Sequence, residues 1–398
     1  MKKDTFLKVA SKAILTWVLL SQISGGVSLK AQNFVVSETN GFEWRLMGRV
    51  FFDAGAFFND KTDFGNGVQI NDLRLGTQIR FLQHWNVKME LGYGDEKVSI
   101  KDIYINYKTG NHSIRLGYYH EPFGIDRIGS TNFKFIETAS SAKNSGGNSA
   151  PDTASADKTF GGSRKLGVSY LYNQTYFNFM GGVFSDGNPG KANQLNQGYT
   201  LATKFIGRPV VGDGRLLHLA IAPRFSSHGD QIEFRGGVPS TLLSGADNRF
   251  VFADVTQVIN QWKMEVEVIG IYRKWYLEGH YLMAHVNRAG VPNYNGQGGY
   301  IQGGYMILGE KQNYNPVTGM VANPVPKSLE VLCRYNRTNL NDAGITGGKL
   351  SDFSFGVNYF INKYIVARLN YVHVMTSHDA PGGADDFDLI QGRIQFSF

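Results

Sequence analysis

Ten basic side chains carry the chemistry this chain could do: Arg45, Arg49, Arg74, Arg80, Arg115, Arg127, Lys134, Arg224, Arg334 and Arg368. Eight of them sit at alternate positions in segments whose intervening residues are apolar, as in Trp44-Arg45-Leu46 or Leu73-Arg74-Leu75. Lys88, Lys165, Lys204 and Arg393 follow the same rule. A guanidinium offers a planar fork that meets a carboxylate or phosphate through two parallel hydrogen bonds, and rings of Arg or Lys suit anion passages. Carboxylates share these faces: Asp53, Asp72, Glu90, Asp102, Glu265, Glu267, Glu278 and Glu330. The same residues therefore support two readings, an anion-attracting wall or a set of internal ion pairs that stiffen it.

What positions them is a period-2 pattern. In 43–58, Trp44, Leu46, Val50, Phe52, Ala54, Ala56 and Phe58 oppose Glu43, Arg45, Arg49 and Asp53. In 67–81, Leu73, Leu75, Ile79 and Phe81 oppose Asp72, Arg74, Gln78 and Arg80. Strict alternation means strands whose two faces meet different surroundings. Sixteen such segments are expected: 43–58, 67–81, 85–94, 98–107, 112–120, 164–172, 176–184, 198–208, 216–225, 263–271, 275–288, 299–309, 328–339, 351–361, 364–375 and 388–398. Residues 250–258 are placed in a loop. Short links (82–84, 108–111, 173–175, 209–215, 272–274, 362–363) alternate with longer ones (121–163, 185–197, 226–262, 289–298, 340–350, 376–387). Two links break the rule, 95–97 being short and 310–327 long. One-sided loop length over an even number of strands is the pattern of a transmembrane antiparallel β-barrel. Charge at the bilayer midplane costs a few kcal/mol per Lys or Arg, so the charged face is the inner one. About sixteen strands enclose water rather than a packed core.

Composition agrees. Mean hydropathy is −0.24, which alternating strands produce even in a membrane protein. The 48 Gly and 47 Phe plus Tyr suit turns and aromatic girdles, and the 11 Pro leave the ladders intact. The basic start (Lys2, Lys3, Lys8, Lys12), the apolar run 14–20 and the small residues before Ala31 read as a secretory signal peptide over 1–31. Cleavage after Ala31 would put Leu29 at the position three back, an unorthodox choice. A short segment, 32–42, then precedes the barrel 43–398. Without residues 1–31, which hold five Lys and one Asp, the formal charge falls from +7 to +3. Nucleic-acid binding has no support in so small a charge. The single Cys333 alternates with Leu329, Val331 and Tyr335 on an apolar face and reads as packing. His84, His112, His120, His218, His280 and His373, six of the nine histidines, are scattered and form no triad with Ser and Asp, so no enzyme is expected. Gly161-Gly162-Ser163-Arg164-Lys165 precedes a strand, not a helix, and lacks phosphate-loop spacing. Asp385-Asp386-Asp388 reads as solvated loop charge, and no metal or cofactor is expected.

The longest loop, 121–163, opens with Glu121-Pro122-Phe123-Gly124-Ile125-Asp126-Arg127-Ile128 and becomes rich in Ser, Gly, Asn and Thr. Folded into the lumen, it would carry Arg127 and Lys134 toward a permeating solute; as a mobile surface loop it would not. Lys101-Asp102-Ile103-Tyr104-Ile105-Asn106-Tyr107, Ile114-Arg115-Leu116-Gly117 and Glu121-Pro122-Phe123-Gly124 resemble the early signature of the phosphate-selective porin O and P family. Gly356 to Tyr364 and Asn370-Tyr371-Val372 resemble that family's penultimate hairpin. The resemblance runs through nearly all of 43–398 and implies a sixteen-stranded, usually trimeric outer-membrane channel with its third extracellular loop folded inward. It implies phosphate-like anions as solutes and, in this chain, matches Arg115 to a strand motif. The alternating end Ile390 to Phe398 is similar to the terminal signal by which barrel-assembly machinery recognises such proteins. Lipid and lipopolysaccharide are then the surrounding partners. A general or sugar-conducting porin using inward aromatics such as Tyr104 and Tyr276, and a surface adhesin or barrel scaffold, remain the alternatives.

Overall fold

The computed structural model describes residues 34–39, 41–94, 97–125, 134–142, 162–187, 197–243 and 250–398. The segment 1–31 read as a signal peptide, Arg127 and the middle of the loop 121–163 lie outside these residues. A short strand, β1 (Phe34–Thr39), pairs with the start of the next. The barrel strands then run β2 (Phe42–Phe58), β3 (Gly67–Phe81), β4 (Trp85–Gly94), β5 (Lys97–Thr109), β6 (His112–His120), β7 (Arg164–Asn173), β8 (Phe177–Ser185) and β9 (Tyr199–Gly212). They continue as β10 (Arg215–Gly236), β11 (Val251–Tyr272), β12 (Trp275–Arg288) and β13 (Tyr294–Leu308). A small separate hairpin, β14 (Asn313–Asn315) and β15 (Met320–Ala322), precedes β16 (Ser328–Asp342), β17 (Ile345–Phe360), β18 (Ile365–Thr376) and β19 (Asp386–Ser397).

Each barrel strand pairs antiparallel with the next, and β19 pairs with β2 in register Ile394↔Phe52, so sixteen strands close into a barrel. Closure leaves no open edge to hydrogen-bond with lipid, the condition for sheet in a bilayer. Phe398 completes it: its N–H and C=O exchange bonds with Gly48 at 2.9 and 3.0 Å. A Cβ on Gly48 would lie 2.6 Å from the Phe398 ring, so the terminal aromatic occupies the space glycine leaves.

The alternation decides the facing as expected. Phe52, Leu75, Met89, Leu91, Ile114 and Leu116 stand exposed on the outer face. Paired aromatics mark its two rims, with Trp275 on Tyr305 (4.6 Å) and Trp85 against Tyr107 (4.9 Å) at one end, and Phe225 on Trp262 (4.7 Å) at the other. Cys333 shares this outer face with Val331 and Phe355.

The expected loops are corrected in three places. The link at 340–350 is a two-residue turn, Ala343-Gly344, with φ of 51° and 79°. Residues 251–258 belong to β11, which a bulge at Gln257 (φ 58°) bends before it continues. The link at 226–262 shrinks to 237–250 because β10 and β11 each run for 22 residues. Above the bilayer both faces of a hairpin meet water or other loops. In β10 and β11 the apolar side then becomes the inner one, with Ile232, Phe234, Val251, Ala253 and Val255 buried, while the hydrogen-bond ladder persists.

Candidate functional site

The barrel interior divides into a packed half and a half lined by charge. Loop residues 121–125 and 134–142 lie inside, against β10 to β19. Glu121 gathers the loop's ends: its backbone bonds Ser163 O at 3.1 Å and its Oε1 accepts Ser163 N at 2.9 Å. Arg224 Nε holds its other oxygen at 2.9 Å. Glu265 then accepts the N–H groups of Gly124 (2.6 Å) and Ile125 (2.9 Å). Further along, Asn370 Oδ1 accepts Ile136 N (2.7 Å) and Asn358 Nδ2 donates to Lys134 O (2.7 Å). Arg393 Nη1 and Arg334 Nη1 donate to Ile136 O (2.8 Å) and Glu137 O (3.0 Å). Side chains of β16 to β19 thus satisfy loop backbone that water would otherwise have to reach.

A second inward element comes from the long link 309–327. Tyr314 Oη meets His218 Nδ1 at 2.8 Å, and Arg208 and Asn178 both donate to Pro316 O, at 3.2 and 2.6 Å. Met320 and Val321 share an apolar cluster with Ile125 and Phe135 of the loop and with Leu216, Ile269, Tyr276 and Leu332 of the wall. The link is long for a turn because it folds up against the lumenal wall. Near the loop-bearing rim, Phe57, Phe64, Phe250 and Phe387 pack together, with Phe57–Phe64 and Phe64–Phe387 ring distances of 4.9 and 5.0 Å. There Thr241 N bonds Gln391 Oε1 (3.1 Å), so the loop between β10 and β11 also reaches the far wall.

Across β2 to β7 the lumenal face carries instead a continuous chain of ion pairs. Arg49 holds Asp72; Arg74 bonds Asp72 and Glu90, both at 2.9 Å; Lys88 bonds Glu90 (2.9 Å) and Asp102 (2.8 Å). Arg164, at the start of β7, reaches Asp102 at 2.7 Å. Their side chains keep between 9% and 18% of their surface open to water, whereas Lys204, Glu267 and Glu330 on the packed half keep none.

Two bulges enrich this chain. The β2–β3 register shifts between Phe51 and Phe52, and the β4–β5 register between Met89 and Leu91. Ile70 and Leu73 both face outward, so Asn71 and Asp72 both turn inward; Asn71 reaches Glu137 of the loop at 3.4 Å. Ile100 is likewise exposed, and Lys101 lies across Gly92 on the inner side beside Asp102. An extra residue in one strand is how a bulge re-aims side chains. The sequence carried a local signal: Ile70-Asn71-Asp72-Leu73 and Ile100-Lys101-Asp102-Ile103 each put two polar residues where alternation allows one.

The ten candidate side chains separate accordingly. Arg49 and Arg74 lie in the ion-pair chain. Arg45 and Arg80 sit at the end of the barrel away from the loops and share Glu43. Arg115 stacks on Tyr104 at 4.2 Å and Tyr119 at 5.1 Å. Arg224, Arg334 and Arg368 keep 5% or less of their surface and lie under the inward loop rather than along water. Lys134 turns to the wall, where its ammonium donates hydrogen bonds to Glu330 (2.7 Å) and Gln312 (2.9 Å), and not toward a solute. Lys101, Arg164 and Asn71 are the members that alternation alone missed.

A closed barrel with an apolar exterior, a charged interior and an inward loop defines an outer-membrane porin. The chain belongs to the phosphate-selective porin O and P family, whose model matches residues 45–398. That is a family of channels, not of enzymes. A protein of Caulobacter vibrioides is 24% identical over 336 residues, 77% of this chain. The chain spans 63% of that relative's length. Among solved structures, OmpT of Vibrio cholerae is similar in fold, with TM-score 0.60 at 10% identity over 92% of this chain and 99% of that one. It is also known in a trimer form (TM-score 0.55, 11% identity, 90% of this chain and 100% of that one). An anion-selective porin of Comamonas acidovorans gives TM-score 0.55 at 12% identity, over 90% of this chain and 100% of that one.

Proposed function

We propose that the protein is a passive, water-filled channel that favours small anions, with the ion path running along the β2–β7 wall. One observation carries this reading. The water-reached charges of this wall are Arg49, Arg74, Lys88, Arg115 and Arg164 against Asp72, Glu90 and Asp102, an excess of two positive charges along one side of the lumen. The packed half offers a solute little, because its charges are neutralised and out of water. Phosphate is the solute that family membership suggests. The name of the Comamonas acidovorans protein adds support for anion preference on this architecture.

The remaining expectations fit the same reading: export through 1–31, assembly guided by the C-terminal strand and Phe398, a homotrimer in outer-membrane lipid and lipopolysaccharide, and no bound cofactor. The test is the reversal potential of the protein in a planar bilayer under a salt gradient, followed by addition of phosphate. A potential on the anion side, with phosphate reducing the chloride current, supports a phosphate-type channel. A potential near zero without block leaves a general solute channel, a reading favoured by the fact that most of the wall cations already have carboxylate partners.

A further inference from the structure

The lumenal cations that water reaches are held by carboxylates, with one exception among the described residues. Arg115 has no carboxylate within ion-pair distance. Its guanidinium lies over the Tyr104 ring at 4.2 Å and beside Tyr119 at 5.1 Å, and its Nε points at Asn106 Oδ1 at 3.4 Å. Tyr119 is itself fixed, donating to Ser169 Oγ at 2.7 Å. The neighbours in register are neutral: Arg115 stands opposite Asn106 on one side and Ser169 on the other, and Asn106 stands opposite Asn86. The other cations nearby are engaged, Lys88 by Glu90 and Asp102, and Arg80 by Glu43.

We propose that Arg115, with Tyr104 and Asn106, forms a binding subsite for small carboxylates near the barrel end away from the long loops. The proposal rests on the anion-channel reading and narrows it to a solute class at one place. With Nε turned to Asn106, the stacked guanidinium of Arg115 still presents its terminal Nη N–H groups in plane, and these match the plane and spacing of a carboxylate. A single positive charge flanked by amides suits a monoanion. Phosphate, which carries more charge and tetrahedral oxygens, needs further cations that this subsite does not supply. An incoming carboxylate also displaces no internal partner here, whereas at Arg74 or Lys88 it would have to compete with Asp72, Glu90 or Asp102.

The test uses the full protein in planar bilayers, with chloride current measured as acetate or benzoate is added and, separately, inorganic phosphate. The carboxylates are expected to reduce the current at concentrations several-fold below those phosphate needs. Arg115→Gln should weaken carboxylate block about tenfold, the scale of one charge-assisted bidentate contact. Asn106→Asp keeps Arg115 and gives it an internal carboxylate, and should abolish the block. Tyr104→Leu should weaken it several-fold. Arg74→Gln should shift the reversal potential and leave the preference for carboxylate over phosphate intact. If phosphate blocks the wild-type channel as well as acetate does, or if Asn106→Asp and Tyr104→Leu leave carboxylate block unchanged, the subsite is refuted. A wild-type reversal potential without anion preference would instead overturn the broader reading, and it is measured before any carboxylate is added.

Discussion

Replacing Glu265 should open the channel. Its carboxylate is fully buried on β11 and accepts the N–H groups of Gly124 and Ile125 at 2.6 and 2.9 Å, where the inward loop leaves the wall. In Glu265→Ala both donors stay buried and lose their acceptor. A buried backbone donor left unsatisfied costs about 1–3 kcal/mol, which puts the local loss at roughly 2–6 kcal/mol for the two. A loss of about 3 kcal/mol raises the population with a detached loop start by roughly 150-fold. The sheet itself keeps its ladder, so the barrel should still form and migrate as a heat-modifiable band. Single-channel recording is the direct assay, with higher mean conductance and added flicker as the expected result. Limited proteolysis should cut within the loop faster than in the wild type. Glu265→Gln keeps one carbonyl acceptor but turns an NH₂ toward the second donor, so it should fall between the two. A folded Glu265→Ala channel with unchanged conductance, noise and proteolysis would refute the claim that this carboxylate anchors the loop.

Other perturbations separate wall from anchor. Asp72→Asn removes the carboxylate that Arg49 and Arg74 share, adds one net positive charge to the ion path, and should move the reversal potential further toward the anion side. A shift toward cations would contradict the charge-count argument. Lys134→Met leaves Glu330 buried without its cation, a defect of about 3–5 kcal/mol. It should lower the temperature of heat modification while leaving the reversal potential where it was; the opposite pattern would return Lys134 to the ion path. Cys333, exposed on the outer face beside Phe355, should react with a lipid-soluble maleimide in intact membranes and resist a membrane-impermeant one. Labelling by the impermeant reagent would place that strand face in water.

The strands could be read from sequence because each is a local pattern reporting its own surroundings. All sixteen expected segments coincide with barrel strands, within a few residues where both ends lie in the bilayer. The pattern fails where its cause is absent. In 231–236 and 251–258 the apolar side is the inner one: Ile232, Phe234, Val251, Ala253, Val255 and Val258 are buried while Gln231, Asp254 and Thr256 face out, so the outward-apolar pattern inverts although the pairing of β10 with β11 continues. The turn at Ala343-Gly344 was hidden in the same way, since the flanking Asn339, Asn341 and Asp342 look like loop residues yet pair in the sheet.

The division of the lumen is a different matter. Arg74 and Arg334 occupy equivalent places in their strands, inward, between apolar neighbours, and no local property separates them. What separates them is a loop some two hundred residues from Arg334 in sequence, whose Glu137 backbone carbonyl accepts a hydrogen bond from Arg334 at 3.0 Å. The bulges at Asn71-Asp72 and Lys101-Asp102 break a local rule and so leave a mark in the sequence. Burial by a distant loop breaks none. The nearest thing to a trace is the side-chain amides at inward positions of β16, β17 and β18. Asn336, Asn358 and Asn370 bond Ser141 N, Lys134 O and Ile136 N in turn. A wall facing water gains little from an amide over any other polar group. A wall facing another backbone needs groups that both donate and accept, and amides on neighbouring strands supply them. Amides also face inward on the charged half, at Asn71, Asn86 and Asn106, so this trace marks the packed half only once the loop it holds is in place.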